Sequence, residues 1–130
     1  MCKFSSYGYL CCRYSHPEAA VRKDRIEQAQ RLAAWLHVEY GVEILPWWEG
    51  VDPEIPDTPD RRIRGLVANY KILSQLRRMA IEGQDVVLFV DARYPTSEGM
   101  KDEIAYWAML WEQDGTLPPI VYIRPDEDAK

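Results

Sequence analysis

The chain is expected to fold as an α/β sandwich around a parallel sheet, and three observations carry that expectation. Val86 to Val90 is an unbroken apolar run rich in β-branched residues. It is too short for a helix and does not alternate, as in a strand buried on both faces. Strand-like and helix-like stretches alternate along the chain as β-α-β-α-β-α-β, an order that implies right-handed crossovers and a sheet covered on both sides. No internal repeat, low-complexity tract or apolar run near the ~18 residues needed to span a bilayer interrupts that order. The result is a minimal flavodoxin-like three-layer sandwich with four to five parallel strands.

The elements follow in order. Tyr7 to Arg13, aromatic and apolar, reads as the first strand. Ser15-His16-Pro17-Glu18 has capping-box spacing with proline in the first turn. The helix it opens carries Ile26, Ala29, Ala33 and Leu36 on one stripe, with Arg22, Lys23, Asp24 and Gln28 largely off it, and stops near Tyr40-Gly41. Val42 to Pro46 is the second strand. The loop from Trp47 to Pro59 is rich in proline and acid, and a loop of this length in a small domain is usually functional or mobile. Thr58-Pro59 starts a helix with Leu66, Tyr70, Leu73, Leu76 and Ala80 in register, ending at Gly83. After the Val86–Val90 strand, Tyr94-Pro95-Thr96-Ser97 turns the chain into a helix with Met100, Ile104, Trp107, Ala108 and Trp111 at three- and four-residue steps. Asp114-Gly115 turns it again, and Pro119 to Ile123 is the last strand. Residues 1–124 read as one domain and 125–130 as a charged C-terminal tail.

Composition narrows the function classes. Sixteen basic against 21 acidic residues give a net charge of −5, which repels a nucleic-acid polymer unless the basic residues share a face. Arg61, Arg62, Arg64, Lys71, Arg77 and Arg78 fall all around their helix and read as a solvated surface. The first residues lack the apolar run of a signal peptide, so the expectation is a cytoplasmic chain with no membrane partner. Cys2, Cys11 and Cys12 are odd in number, with the adjacent pair pointing to opposite strand faces; His16 and His37 are few and far apart. Neither a disulfide framework, a metal site nor any other cofactor is expected.

Chemistry is expected between Asp91 and Tyr106. In open α/β sheets the ligand crevice lies outside the carboxyl ends of the strands, where helix N-termini turn N–H groups toward anions. The loop from Asp91 to Gly99 borders that crevice. On the following helix Asp102 falls roughly 160° from Met100 and should be solvated, while Glu103 lies about 60° off it, at the edge of the apolar stripe. Near a helix N-terminus a carboxylate can stay ionised and act as a nucleophile; alternatively Glu103 is an ordinary surface acid. Trp47 and Trp48 offer flat faces for stacking on a base, or else close the core and an oligomer contact.

Two segments resemble the nucleoside 2-deoxyribosyltransferase superfamily, including its 2′-deoxynucleoside 5′-monophosphate N-glycosidase branch and small phage and bacterial relatives of unknown activity. Tyr9-Leu10-Cys11-Cys12-Arg13-Tyr14-Ser15-His16-Pro17 looks like that family's first strand and loop. Ser97-Glu98-Gly99-Met100-Lys101-Asp102-Glu103-Ile104-Ala105-Tyr106 looks like its serine-x-glycine-x-x-x-glutamate run. The resemblance implies Glu103 as nucleophile, Tyr9 as the tyrosine that orients it, and a nucleoside or nucleotide as substrate. It places Ser97, Gly99, Ser15 and Asp91 about that substrate, with Arg13 either at a phosphate or as a plain surface residue. Ser97 stands where nucleoside-specific transferases tend to carry an aspartate, as in the monophosphate hydrolases, and suits a 5′-phosphate that an aspartate would repel. Arg77 stands where the family places an acid for the leaving base, and Cys12 and Arg13 replace the usual glycine and proline. The expected activity is cleavage or transfer at an N-glycosidic bond. A nucleotide-sensing module without turnover and a partner-binding domain stay open beside it. Relatives are homo-oligomers, and Trp107 and Trp111 lie one turn apart on a stripe that four strands would not fully cover, so a homodimer or higher oligomer is expected.

Overall fold

The computed structural model describes residues 6–125; Cys2 and the tail beyond Pro125 lie outside them. Four strands, β1 (Ser6–Cys11), β2 (Glu43–Ile44), β3 (Asp85–Asp91) and β4 (Ile120–Ile123), form one sheet in the order β2-β1-β3-β4. All three pairings are parallel, with Tyr9 opposite Leu88 and Leu10 opposite Phe89. Three helices, α1 (Ala19–Tyr40), α2 (Pro59–Ile81) and α3 (Glu98–Glu112), supply the crossovers. Side-chain alternation sorts the layers. Tyr9 and Cys11 reach α3 at Glu103 and Met100, whereas Phe89 meets Tyr40 of α1. One face of the sheet therefore carries α1 and the other α2 and α3, the three-layer sandwich expected of the alternation.

The core is built where the continuous apolar run predicts it. Leu88, Phe89 and Val90 are buried on both faces of β3, with Leu10 and Cys11 of β1 beside them. At Gly8 the backbones and side chains close in: an added Cβ would sit 2.9 Å from the Val87 carbonyl and 3.1 Å from Val42 Cγ1. Only glycine fits there. Thr58 caps α2 by accepting the Arg61 N–H at 3.2 Å, with Pro59 opening the helix, and Gly41 closes α1 in the left-handed region at φ 69°.

Several expectations are corrected. β1 ends at Cys11, so Cys12 and Arg13 belong to the loop, and β2 shrinks to two residues: the Leu10 carbonyl, the next acceptor along β1, is taken by the Trp47 indole N–H in place of a backbone donor. Leu45 N–H still donates to the Gly8 carbonyl at 2.9 Å. The Ser15 capping box does not form: α1 starts at Ala19, and the Glu18 N–H is taken by His16 Nδ1 at 3.0 Å. Arg22, placed off the apolar stripe, is buried, while Leu32 rather than Ile26 completes that stripe. Trp107 and Trp111 are covered within the single chain. The Trp107 indole N–H donates to the Pro119 carbonyl and the Arg77 guanidinium lies 4.2 Å over the Trp111 ring, so this stripe leaves nothing for a second copy to cover. No described helix is long and apolar enough to cross a membrane.

Candidate active site

Helix α3 begins where β3 delivers the chain to the carboxyl edge of the sheet. The Ser97 hydroxyl caps it by accepting the Met100 N–H at 3.2 Å, and Glu98 places an acid in the first turn. The N–H groups of Glu98 and Gly99, ahead of the first intrahelical bond, have no partner within the helix. From that start Met100, Glu103, Trp107 and Trp111 recur on the buried face. Glu103 is thus the one charged group on an apolar stripe, 7% exposed, and deeper than the edge position its spacing suggests.

Two donors converge on one of its oxygens. The Tyr9 hydroxyl, from the centre of the sheet, donates to Glu103 Oε2 at 3.0 Å, and the Asn69 amide, from α2, donates to the same atom at 2.7 Å. Oε1 accepts from neither of them; the Cys11 thiol, which donates to the Met100 carbonyl at 3.7 Å, is a third and weaker donor beside the carboxylate. Burial raises the Glu103 pKa above its ordinary value, opposed by the hydrogen bonds from Asn69 and Tyr9 and by the nearby Cys11 thiol. Burial, then the adjacent Glu103 charge, push the Tyr9 phenol well above its ordinary range, so it stays a protonated donor. The set is a desolvated carboxylate held by two neutral donors.

Glu103 and Tyr9 lie in the wall of a cavity of about 630 Å³, within the range of small-molecule sites. Tyr14 and Ser15 border it after β1, the loop before α2 supplies Val51, Asp52 and Asp57, and the first half of α2 down to Asn69 forms the opposite wall. Asp57 holds the Arg62 guanidinium at 3.2 Å with its own side chain 10% exposed. Arg22, reaching the cavity from α1, donates to the carbonyls of Pro53, His16 and Pro17 and so ties the α2-preceding loop to the turn after β1. Among the described residues no group of three or more His, Cys, Asp or Glu side chains is placed to hold a metal ion.

The structure brings Glu103, Tyr9, Ser97, Gly99, Ser15 and Trp47 to this one cavity and leaves Asp91, Arg13 and Trp48 outside it. Trp47 serves as wall. Its indole N–H donates to the Leu10 carbonyl at 3.0 Å, and its ring stands edge-on to Tyr14 and Trp48. Both Asp91 oxygens are engaged by the Arg93 guanidinium, which removes Asp91 from substrate contact. Arg13 stacks over Tyr94, on the α1 side of the loop. Arg77 lies at the far end of α3, bonded to the Leu110 carbonyl and to Asp114, and is not part of the site.

Asn69 and Arg22 were not among the residues the sequence singled out. Asn69 has a legible signal, a polar residue on the stripe Leu66, Asn69, Leu73, Leu76. A polar side chain at a stripe position needs a buried partner. No family model, curated protein or solved structure matches the chain.

Proposed function

We propose that the protein cleaves, or transfers across, the N-glycosidic bond of a deoxynucleoside or its 5′-monophosphate, with Glu103 as the nucleophile. One observation carries this reading: a buried carboxylate at the wall of a cavity large enough for a nucleoside receives its hydrogen bonds from Tyr9 and Asn69 on Oε2, which leaves Oε1 free of both. Oε1 attacks the anomeric carbon, the bond from that carbon to the base nitrogen breaks, and its electron pair leaves with the base, which takes up a proton. Water, or the nitrogen of a second base, then displaces the carboxylate from the same carbon. Two inversions give net retention. Tyr9 and Asn69 hold the carboxylate in place and stay neutral throughout.

The 5′ end of the substrate belongs at the start of α3, where the Ser97 hydroxyl still has its proton to donate and the N–H groups of Glu98 and Gly99 face an anion. Asp57 is a second carboxylate in the wall and is suited to accept from a donor on the leaving base. A homo-oligomer is part of this reading, with Ile63 and Val67, exposed on the first turns of α2, as the surface a second copy covers. The second reading is a nucleotide-binding module without turnover, favoured by the position of Arg77, which leaves the family's acid without a counterpart. Incubation with deoxynucleosides and their monophosphates, followed by chromatography for free base, tests the proposal. Glu103→Gln should retain binding by calorimetry and lose base release by several orders of magnitude. Binding with no release in the parent protein establishes the second reading instead.

A further inference from the structure

The loops after β1 and β3 bring Arg13 and Arg93 to one shallow cleft on the α1 side of the sheet, where α1 adds Arg25, apart from the cavity that holds Glu103. Arg13, Arg25 and Arg93 line it together with Asp91. The guanidinium carbons of Arg13 and Arg93 lie 3.6 Å and 5.4 Å from the same Tyr94 ring centroid, so the two cations flank one aromatic. Arg93 is neutralised by both oxygens of Asp91. Among the described residues Arg13 and Arg25 make no ion pair. Arg25 donates only to the Ser15 carbonyl, and Arg13 Nε is buried without an acceptor. Burial and the nearness of Arg13 lower the Arg25 pKa below its ordinary value.

Two cations without an ion pair among the described residues and an orphaned donor thus line one cleft in a chain whose net charge is −5. Like charges lining one cleft repel, and a buried N–H without an acceptor is costly; an anion relieves both. We infer that this cleft binds an oxyanion of the phosphoryl class, with one oxygen accepting from Arg13 Nε and the others facing Arg25 and Arg93. The enclosed space, about 10 Å³, is that of a single oxygen atom, so the group seats at the mouth with one oxygen inserted. Donors arriving from three side chains match a tetrahedral oxyanion better than a planar carboxylate, which offers two oxygens. Asp91 does not oppose binding, because Arg93 already occupies both of its oxygens. The phosphoryl group is either free phosphate or part of a nucleotide reaching past Cys12, which borders both the cleft and the cavity. The site stands independently of the glycosidic reading.

Nuclear magnetic resonance of the arginine Nε–H groups and backbone amides, during titration with inorganic phosphate against chloride at matched ionic strength, tests it. The Arg13 and Arg25 signals should shift saturably. Arg25→Gln should weaken phosphate binding about tenfold while the protein stays folded, with its other amide signals in place. If a deoxynucleoside monophosphate moves the same signals and its nucleoside does not, the phosphoryl group is a nucleotide's; if only inorganic phosphate moves them, it is free phosphate. Shifts confined to the Glu98 and Gly99 amides, or shifts that phosphate and chloride produce alike, would overturn the assignment.

Discussion

Replacing Asn69 by alanine should make the stability of the fold fall more steeply with pH than it does in the parent. Glu103 is 7% exposed, and Asn69 supplies the shorter of its two hydrogen bonds, at 2.7 Å. A hydrogen bond to an ionised group contributes about 1.5–3 kcal/mol against about 0.5–1.5 for a neutral pair, so losing this donor costs about 1–2 kcal/mol more when Glu103 is charged. Burial already raises the Glu103 pKa above its ordinary value of 4.5, so the folded state holds that proton more tightly than the unfolded chain. The stability linked to this group is therefore fully present below the unfolded value and is lost as pH rises through the folded one. Asn69→Ala raises the folded value further. The variant's deficit should be smallest near pH 4, where the loss of packing and of the bond to the neutral acid remains, and should grow by about 1–2 kcal/mol at neutral pH. Urea denaturation of parent and variant across that range measures it, and Tyr9→Phe should follow the same course. A deficit that stays constant with pH would refute the reasoning, because Asn69 would then not be bonded to an ionising group.

Three further outcomes are expected. Gly8→Ala should cost about 1–3 kcal/mol by overpacking, since its Cβ would lie 2.9 Å from the Val87 carbonyl; an unchanged Tm would contradict that packing. Arg22→Met keeps the apolar stem but leaves the Pro53, His16 and Pro17 carbonyls without their donor, so limited proteolysis should cut faster between Trp48 and Pro59. An unaltered cleavage pattern would show that other contacts hold the loop. Ser97→Asp should reverse a preference for a deoxynucleoside monophosphate over its nucleoside, by charge repulsion at the α3 start; equal calorimetric affinities of both ligands for the parent would show that no phosphate site exists there.

Local patterns were enough for the sheet and the helices. The Val86–Val90 run, the Thr58-Pro59 start and the helical spacing of Met100, Trp107 and Trp111 are each decided by neighbouring residues, and the structure reproduces them. The Ser15 cap was lost to a competitor for the same backbone, His16, whose imidazole takes the Glu18 N–H. Arg22 was misplaced because a long cation is ordinarily solvated; its burial depends on carbonyls of Pro53, which only tertiary structure brings near. The coverage of Trp111 depends in the same way on Arg77, from another helix. Within the site, Glu103 and Tyr9 were legible through motif. Asn69 was legible in principle from its stripe position, whereas Asp57 becomes part of a wall only through the path of a long loop.

The polar contacts that make Glu103 distinctive bridge separations of 94 residues, to Tyr9, and 34, to Asn69. Closing loops of that length carries an entropic cost that must be met before either contact returns anything. During synthesis, β1 and α2 are complete while α3 is still to be made, so the carboxylate trio has no precursor in any shorter fragment. In the finished protein the same dependence makes Glu103 a reporter of the whole. Any opening that separates α2 or α3 from the sheet returns the carboxyl to water and to its ordinary acidity, so its titration should follow the docking of both helices on that face.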